Sequence, residues 1–231
     1  QNSMAEKVKF HGKVKQICSW SWKVSCGNAF LADFARMYNN QVYINPTTID
    51  VDYHKSEIQE KVNDPITIGW TGSHSTLKYL ESIIDVLEEL KEKYTFRMAV
   101  IADQPPTWEF DDYEFVKWNK EKEIEQLMKI DIGIMPLNDS PWEKGKCGFK
   151  AIQYMALGKP AVVSNVGVNK DIVEQGINGF LCRNREDWVH HLSELISNEK
   201  LRISMGKAVR EKIKNHYSIQ SNADLFLSLF E

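Results

Sequence analysis

The chain has 231 residues, 42% of them hydrophobic and 26% charged, with a formal net charge of −3. That length suits one large domain, or one domain and part of another, and the charge balance excludes a general pull toward nucleic acid or membrane surfaces. No apolar run approaches the ~20 residues of a spanning helix, and Gln1-Asn2-Ser3-Met4 lacks the apolar centre of a secretion leader. Cys18, Cys26, Cys147 and Cys182 form no CxxC pair and no zinc-finger spacing, so they read as reduced, mostly buried thiols of a cytoplasmic protein. His190 and His191 read as surface residues of an amphipathic helix rather than metal ligands.

Residues 17–25 look strand-like, residues 28–38 read as a helix, residues 41–44 as a short strand and residues 45–50 as a linker. From Pro65 a regular alternation begins. Residues 66–70 read as a buried strand, followed by a polar loop at residues 71–76. Leu77, Leu80, Ile83, Ile84, Leu87 and Leu90 then mark one face of a helix. Further strands are predicted over residues 95–101, 113–118, 131–135, 160–164 and 179–182. Helices fall between them: one capped by Asn119 and running to about Ile130, one ending near Leu157, and a short one at residues 169–175. Asn184 caps the first of three C-terminal helices, which break near Asn198 and Ser218. Strand–helix alternation with near-continuous apolar strands predicts a doubly wound, Rossmann-like parallel sheet covered on both faces.

In such a sheet ligands bind beyond the carboxyl ends of the strands. Two loops lie there. In the first, Gly72 and Ser73 can turn backbone N–H groups toward a phosphate, although a plain turn with Ser75 or Thr76 as helix cap explains the same residues. It is neither GxGxxG nor GxxxxGK[ST], which disfavours a dinucleotide cofactor and excludes a P-loop. The second, residues 137–148, carries Gly145-Lys146-Cys147-Gly148 into a helix bearing Lys150, Gln153 and Tyr154 at i, i+3, i+4 spacing. A helix start attracts anions, glycine lets the backbone come close, and a lysine there opposes the dipole unless an anion is bound. This combination fits a diphosphate; a solvated lysine pair is the plainer alternative. Met155, Ala156 and Leu157 read as core. Trp142 and Glu143 are placed to meet the other end of a ligand, with a packing lid as the alternative for Trp142, and residues 116–118 to offer backbone groups to a base.

The run from Asp131-Ile132-Gly133-Ile134-Met135-Pro136 through Tyr154-Met155-Ala156-Leu157-Gly158-Lys159-Pro160 resembles the C-terminal, nucleotide-sugar-binding half of GT-B glycosyltransferases, most like the large retaining family 4. Val166-Gly167-Val168-Asn169-Lys170-Asp171 and Gly176-Ile177-Asn178-Gly179-Phe180 extend it, and Ile44-Asn45-Pro46-Thr47-Thr48-Ile49-Asp50 resembles the hinge. The resemblance covers about residues 41–230. It implies residues 1–50 as a remnant of the acceptor domain and hinge, and residues 51–231 as the donor domain. Sugar would pass from a nucleoside diphosphate to a carbohydrate or lipid-linked acceptor with retention, without a metal or other cofactor, in bacterial polysaccharide biosynthesis. Lys146 and Lys150 would act on the leaving diphosphate. Gly72, Ser73, Trp118, Glu143, Gly145, Cys147, Gly148 and Gln153 would bind the donor. The resemblance implies a cytoplasmic protein, allows peripheral contact with the inner membrane face through the acceptor domain, and leaves the isolated chain poorly active.

There are departures. The family's E-x7-E glutamates fall at Gly145 and Gln153, and Lys146 with Lys150 matches instead a GKxxxK variant. A nucleotide-sugar epimerase on this scaffold and a non-catalytic nucleotide-sugar-binding module are the other readings.

Overall fold

The computed structural model describes residues 12–55 and 64–231, so the stretch read for a leader at residues 1–4 lies outside it. The described chain opens with α1 (Lys13–Trp20), β1 (Val24–Cys26), α2 (Ala29–Arg36) and β2 (Val42–Ile44). β1 and β2 pair in parallel with Val24 opposite Val42. Residues 17–25, read as strand, divide instead: α1 takes the first part and only Val24–Cys26 is extended. A short apolar run cannot separate strand from helix by pattern alone. Here the helix sets Cys18 against Cys26, Ala32 and Ala35, and the hydroxyls of Ser19 and Ser21 donate to the carbonyls of Gln16 and Ile17 at its end.

Six strands follow: β3 (Thr67–Gly72), β4 (Arg97–Ala102), β5 (Glu114–Lys117), β6 (Ile132–Met135), β7 (Ala161–Ser164) and β8 (Gly179–Cys182). They form one sheet in the order β5-β4-β3-β6-β7-β8, and every pairing is parallel. The chain winds outward from β3 to one edge, then returns to β6 and winds to the other. The fold is therefore the Rossmann-like doubly wound sheet, and its strand order reverses between β3 and β6. Loops leaving these two strands diverge and open a crevice at the carboxyl edge.

The helices are α3 (Leu77–Glu81), α4 (Ile84–Lys93), α5 (Glu123–Met128), α6 (Pro141–Lys144), α7 (Phe149–Ala156), α8 (Asn169–Ile172), α9 (Arg185–Ser197), α10 (Glu199–His216) and α11 (Ile219–Leu227). Alternate strand residues point to opposite faces. On one face Ile68, Trp70, Val100, Ile132 and Val162 pack with Leu80, Leu87, Leu90, Trp188 and Leu192. On the other, Ile101, Met135 and Val163 meet Ile152, Tyr154 and Met155 of α7 and Val209 and Ile213 of α10. The single helix predicted through Leu77–Leu90 is two: the Ser82 hydroxyl donates to the Tyr79 carbonyl, and Ile83, with φ −127°, leaves helical geometry.

Local caps set the C-terminal boundaries. The side chains of Asn184, Asn198 and Ser218 accept from the N–H groups of Asp187, Leu201 and Ser221 and open α9, α10 and α11. All four cysteines are free, with Cys147 half-buried and the other three buried. His191 corrects the reading of the histidine pair: it is buried on α9 and stacks on Phe180 with ring centroids 4.2 Å apart.

Candidate functional site

A crevice of about 430 Å³ opens where the sheet order reverses, walled by Thr71, Gly72, Ser73, Asp103, Trp118, Glu123, Phe149, Lys150 and Gln153. Its geometry starts from a glycine. A side chain at Gly133 on β6 would place its Cβ 2.3 Å from the Tyr154 ring, so the missing side chain lets α7 lie close on the sheet. Tyr154 is wholly buried, and its hydroxyl oxygen accepts the Thr71 N–H at 2.9 Å. That bond fixes α7 against the end of β3. The trio Lys150, Gln153 and Tyr154 thus divides: Tyr154 anchors the helix, while Lys150 and Gln153 face the crevice.

Gly148 precedes α7 with φ 68°, the left-handed region, and a Cβ there would lie 2.3 Å from Ile172 Cδ1. No side chain caps this helix, so the N–H groups of its first turn are left without a side-chain acceptor. Lys150 stands in that turn with Nζ 5.1 Å from the centre of the Trp70 ring. Burial, and then the positive charge of Lys146, lowers its pKa to about 8, with no carboxylate among the described residues opposing them. Lys146 lies in the loop before α7 rather than in the helix, its Nζ 4.0 Å from the centre of the Tyr79 ring. Burial lowers its pKa too, against the pull of Glu143.

Glu143 stands elsewhere than the sequence reading placed it. It is 5% exposed and accepts from the hydroxyls of Tyr79 and Ser140, which hold its carboxyl below the usual carboxylate range. It braces the loop behind Lys146 and does not line the crevice. Trp142, on α6, is 76% exposed and is absent from the crevice wall. Cys147 turns to the N-terminal segment, where a Cβ on Gly27 would come within 2.5 Å of its Sγ. Asn28 donates to the Lys146 carbonyl at 3.0 Å, tying the same loop to the start of α2. Gly145 ends α6 and lies outside the crevice wall.

Of the two readings of the loop after β3, the structure follows the capped turn, while Gly72 and Ser73 still line the crevice. Ser73 and Thr76 form a capping box, the Ser73 N–H donating to Thr76 Oγ1 at 3.2 Å. The His74 N–H donates to Asp103 Oδ1 at 2.6 Å. These amides are occupied within the protein. Gly72 is required by packing, since a Cβ would lie 2.4 Å from the Trp70 indole. The backbone expected to meet a base is occupied as well. The Trp118 N–H donates to the Ala102 carbonyl at 2.8 Å, and the Lys117 carbonyl accepts from Gln126 Nε2 at 2.9 Å. What Trp118 offers is its indole, 40% exposed.

Sequence reasoning did not name four crevice residues as site residues: Thr71, which it placed only in the loop after the first strand, Asp103, Glu123 and Phe149. Asp103 and Phe149 carried no motif. Glu123 carried none either, and its approach to Gln153 comes from two helices meeting in space.

These features define a doubly wound α/β protein with its ligand crevice at the switch point. The family model of glycosyl transferases group 1 matches residues 54–212, and the chain belongs to that family. It is 27% identical over 127 residues to spore coat protein SA of Bacillus subtilis (strain 168), covering 52% of this chain and 32% of that protein. It is 21% identical over 191 residues to the capsular polysaccharide biosynthesis glycosyltransferase CapM of Staphylococcus aureus, covering 79% and 50%. The chain therefore spans half or less of the length of these two relatives. Among solved structures, sucrose-phosphate synthase from Thermosynechococcus elongatus superposes with a TM-score of 0.77 at 14% identity, over 98% of this chain and 64% of that one. HepE from Anabaena, in complex with UDP, gives 0.75 at 13% identity over 95% and 68%. The C-terminal domain of the group 1 glycosyl transferase LpcC from Francisella tularensis is covered completely, with 74% of this chain, a TM-score of 0.61 and 17% identity. Among the described residues, no helix is long and apolar enough to cross a membrane.

Proposed function

We propose that this chain forms the donor half of a retaining glycosyltransferase that draws its sugar from a nucleoside diphosphate. The observation that carries this is Lys150: a half-buried ammonium, facing the crevice at an uncapped helix start, with no ion-pair partner among the described residues. A partly desolvated charge of this kind is stabilised by a counter-ion, and a diphosphate supplies one. As the bond from the anomeric carbon to the diphosphate oxygen breaks, the electron pair stays with the diphosphate. Lys150, the α7 amides and the neighbouring Lys146 stabilise that charge. The acceptor hydroxyl attacks the face the diphosphate leaves, and its proton passes to the departing diphosphate oxygen. Gln153, on the same helix, contacts the ribose. Membership of the group 1 family, and a fold shared with HepE in complex with UDP, support the reading.

Calorimetry with UDP and with GDP tests it. One of them binds the chain, and Lys150→Ala weakens that binding strongly while Lys146→Ala weakens it less. Absence of binding to both nucleotides and to their sugar conjugates removes the proposal.

A further inference from the structure

Glu123, at the start of α5, is the one acid of the crevice wall that holds another wall residue in place. Its Oε1 accepts from Trp118 Nε1 at 3.1 Å and from Gln153 Nε2 at 3.3 Å. Both bonds end on the same oxygen. Among the described residues, Oε2 takes none.

This arrangement orients Gln153. A carboxylate only accepts hydrogen bonds, so the amide must turn its NH₂ to Glu123 and its carbonyl oxygen away. The pair then offers two acceptors, Glu123 Oε2 and Gln153 Oε1, from adjoining places on the crevice wall. A second phosphate would be repelled by the carboxylate, and an ammonium ligand by Lys150, one turn earlier on α7. The chemistry that satisfies both acceptors is a pair of neighbouring hydroxyl donors. Trp118, held by the same carboxylate, presents an apolar indole beside them, suited to the flat face of a base.

We infer that Glu123 recognises the ribose of the donor nucleotide, acting with Gln153 on its cis-diol, so that the crevice selects ribonucleotides over deoxyribonucleotides. This rests on the donor-nucleotide reading above. It also accounts for Gln153: the carboxylate absent from α7 comes from α5, with β6 and α6 between them in sequence. The charged acceptor makes the hydroxyl bond stronger than an amide alone would.

The test is calorimetry with whichever of UDP and GDP binds tighter, alongside its 2′-deoxy and 3′-deoxy forms. The wild-type chain is expected to prefer the ribonucleotide by about tenfold, the scale of one hydrogen bond to a charged group. Glu123→Gln reduces that preference to about twofold or less, whereas Lys150→Ala lowers all three affinities and leaves the preference in place. Glu123→Asp, which keeps the charge but withdraws it by one methylene, loses the preference too. Equal wild-type affinity for the three nucleotides, or an unchanged preference in Glu123→Gln, overturns the inference and leaves the donor-nucleotide reading standing. A wild-type chain that binds neither UDP nor GDP overturns both. Should either variant unfold, seen as a lost thermal transition, the wild-type preference and the other variant decide.

Discussion

The two loops that flank the crevice look alike in sequence and behave differently in space. Each leaves the carboxyl end of a central strand, and each carries glycine beside small or cationic residues. After β3 the turn satisfies itself, with Ser73 bound to Thr76 and His74 to Asp103. After β6 the chain enters α7 through a left-handed glycine with no side-chain cap, and a half-buried lysine follows. The lesson is that composition nominates anion sites, and unsatisfied donors distinguish them. An N–H group already bonded within the protein has little left for a ligand.

Lys150→Ala is the largest test of that contrast. It should cost about 100-fold in nucleotide affinity, the upper range for a hydrogen bond to a charged group, measured by calorimetry. A loss no greater than about threefold would transfer the anion to the β3 loop. Next, Gly148→Ala forces a side chain into the left-handed region and against Ile172, and should lower folding stability by about 2 kcal/mol in urea denaturation.

A pH series comes third. The Lys150 pKa, lowered to about 8, means the charged form is present below that value and lost above it. Nucleotide affinity should hold up to pH 8 and then decline toward about tenfold per unit, as one proton is lost. Lys150→Arg, which stays protonated, should flatten that decline. The smallest effect belongs to Thr76→Val. It strands the Ser73 N–H, should cost about 1 kcal/mol of stability, and should leave nucleotide affinity within about twofold. A marked rise in affinity would show that the capping box had withheld an amide from the ligand.

Much of the scaffold was legible. The strand succession and the starts of α9, α10 and α11 follow from burial patterns and from Asn184, Asn198 and Ser218, whose bonds reach only a few residues along the chain. The place of Lys150 in the first turn of a helix was legible from the glycine-rich loop that runs into it. α1 was not, because a short apolar run serves either geometry until its neighbours are known. Glu143 was misplaced because both of its hydroxyl partners are needed to see that it is engaged, and Tyr79 lies far from it in sequence.

By itself, the sequence determined the doubly wound class, the succession of the six strands from Pro65 onward and the residues that start α9, α10 and α11, since periodicity and capping act within one turn or one strand. Tertiary structure alone decided which polar groups are spent and which are free. Asp103 reaches His74, Glu143 reaches Tyr79, and Glu123 reaches Gln153. Each partner arrives from a different element, brought there by the burial of apolar faces on the sheet. Hydrogen bonding acts over about 3 Å of space whatever the separation along the chain, so the character of the crevice depends on contacts that exist only once the sheet has formed.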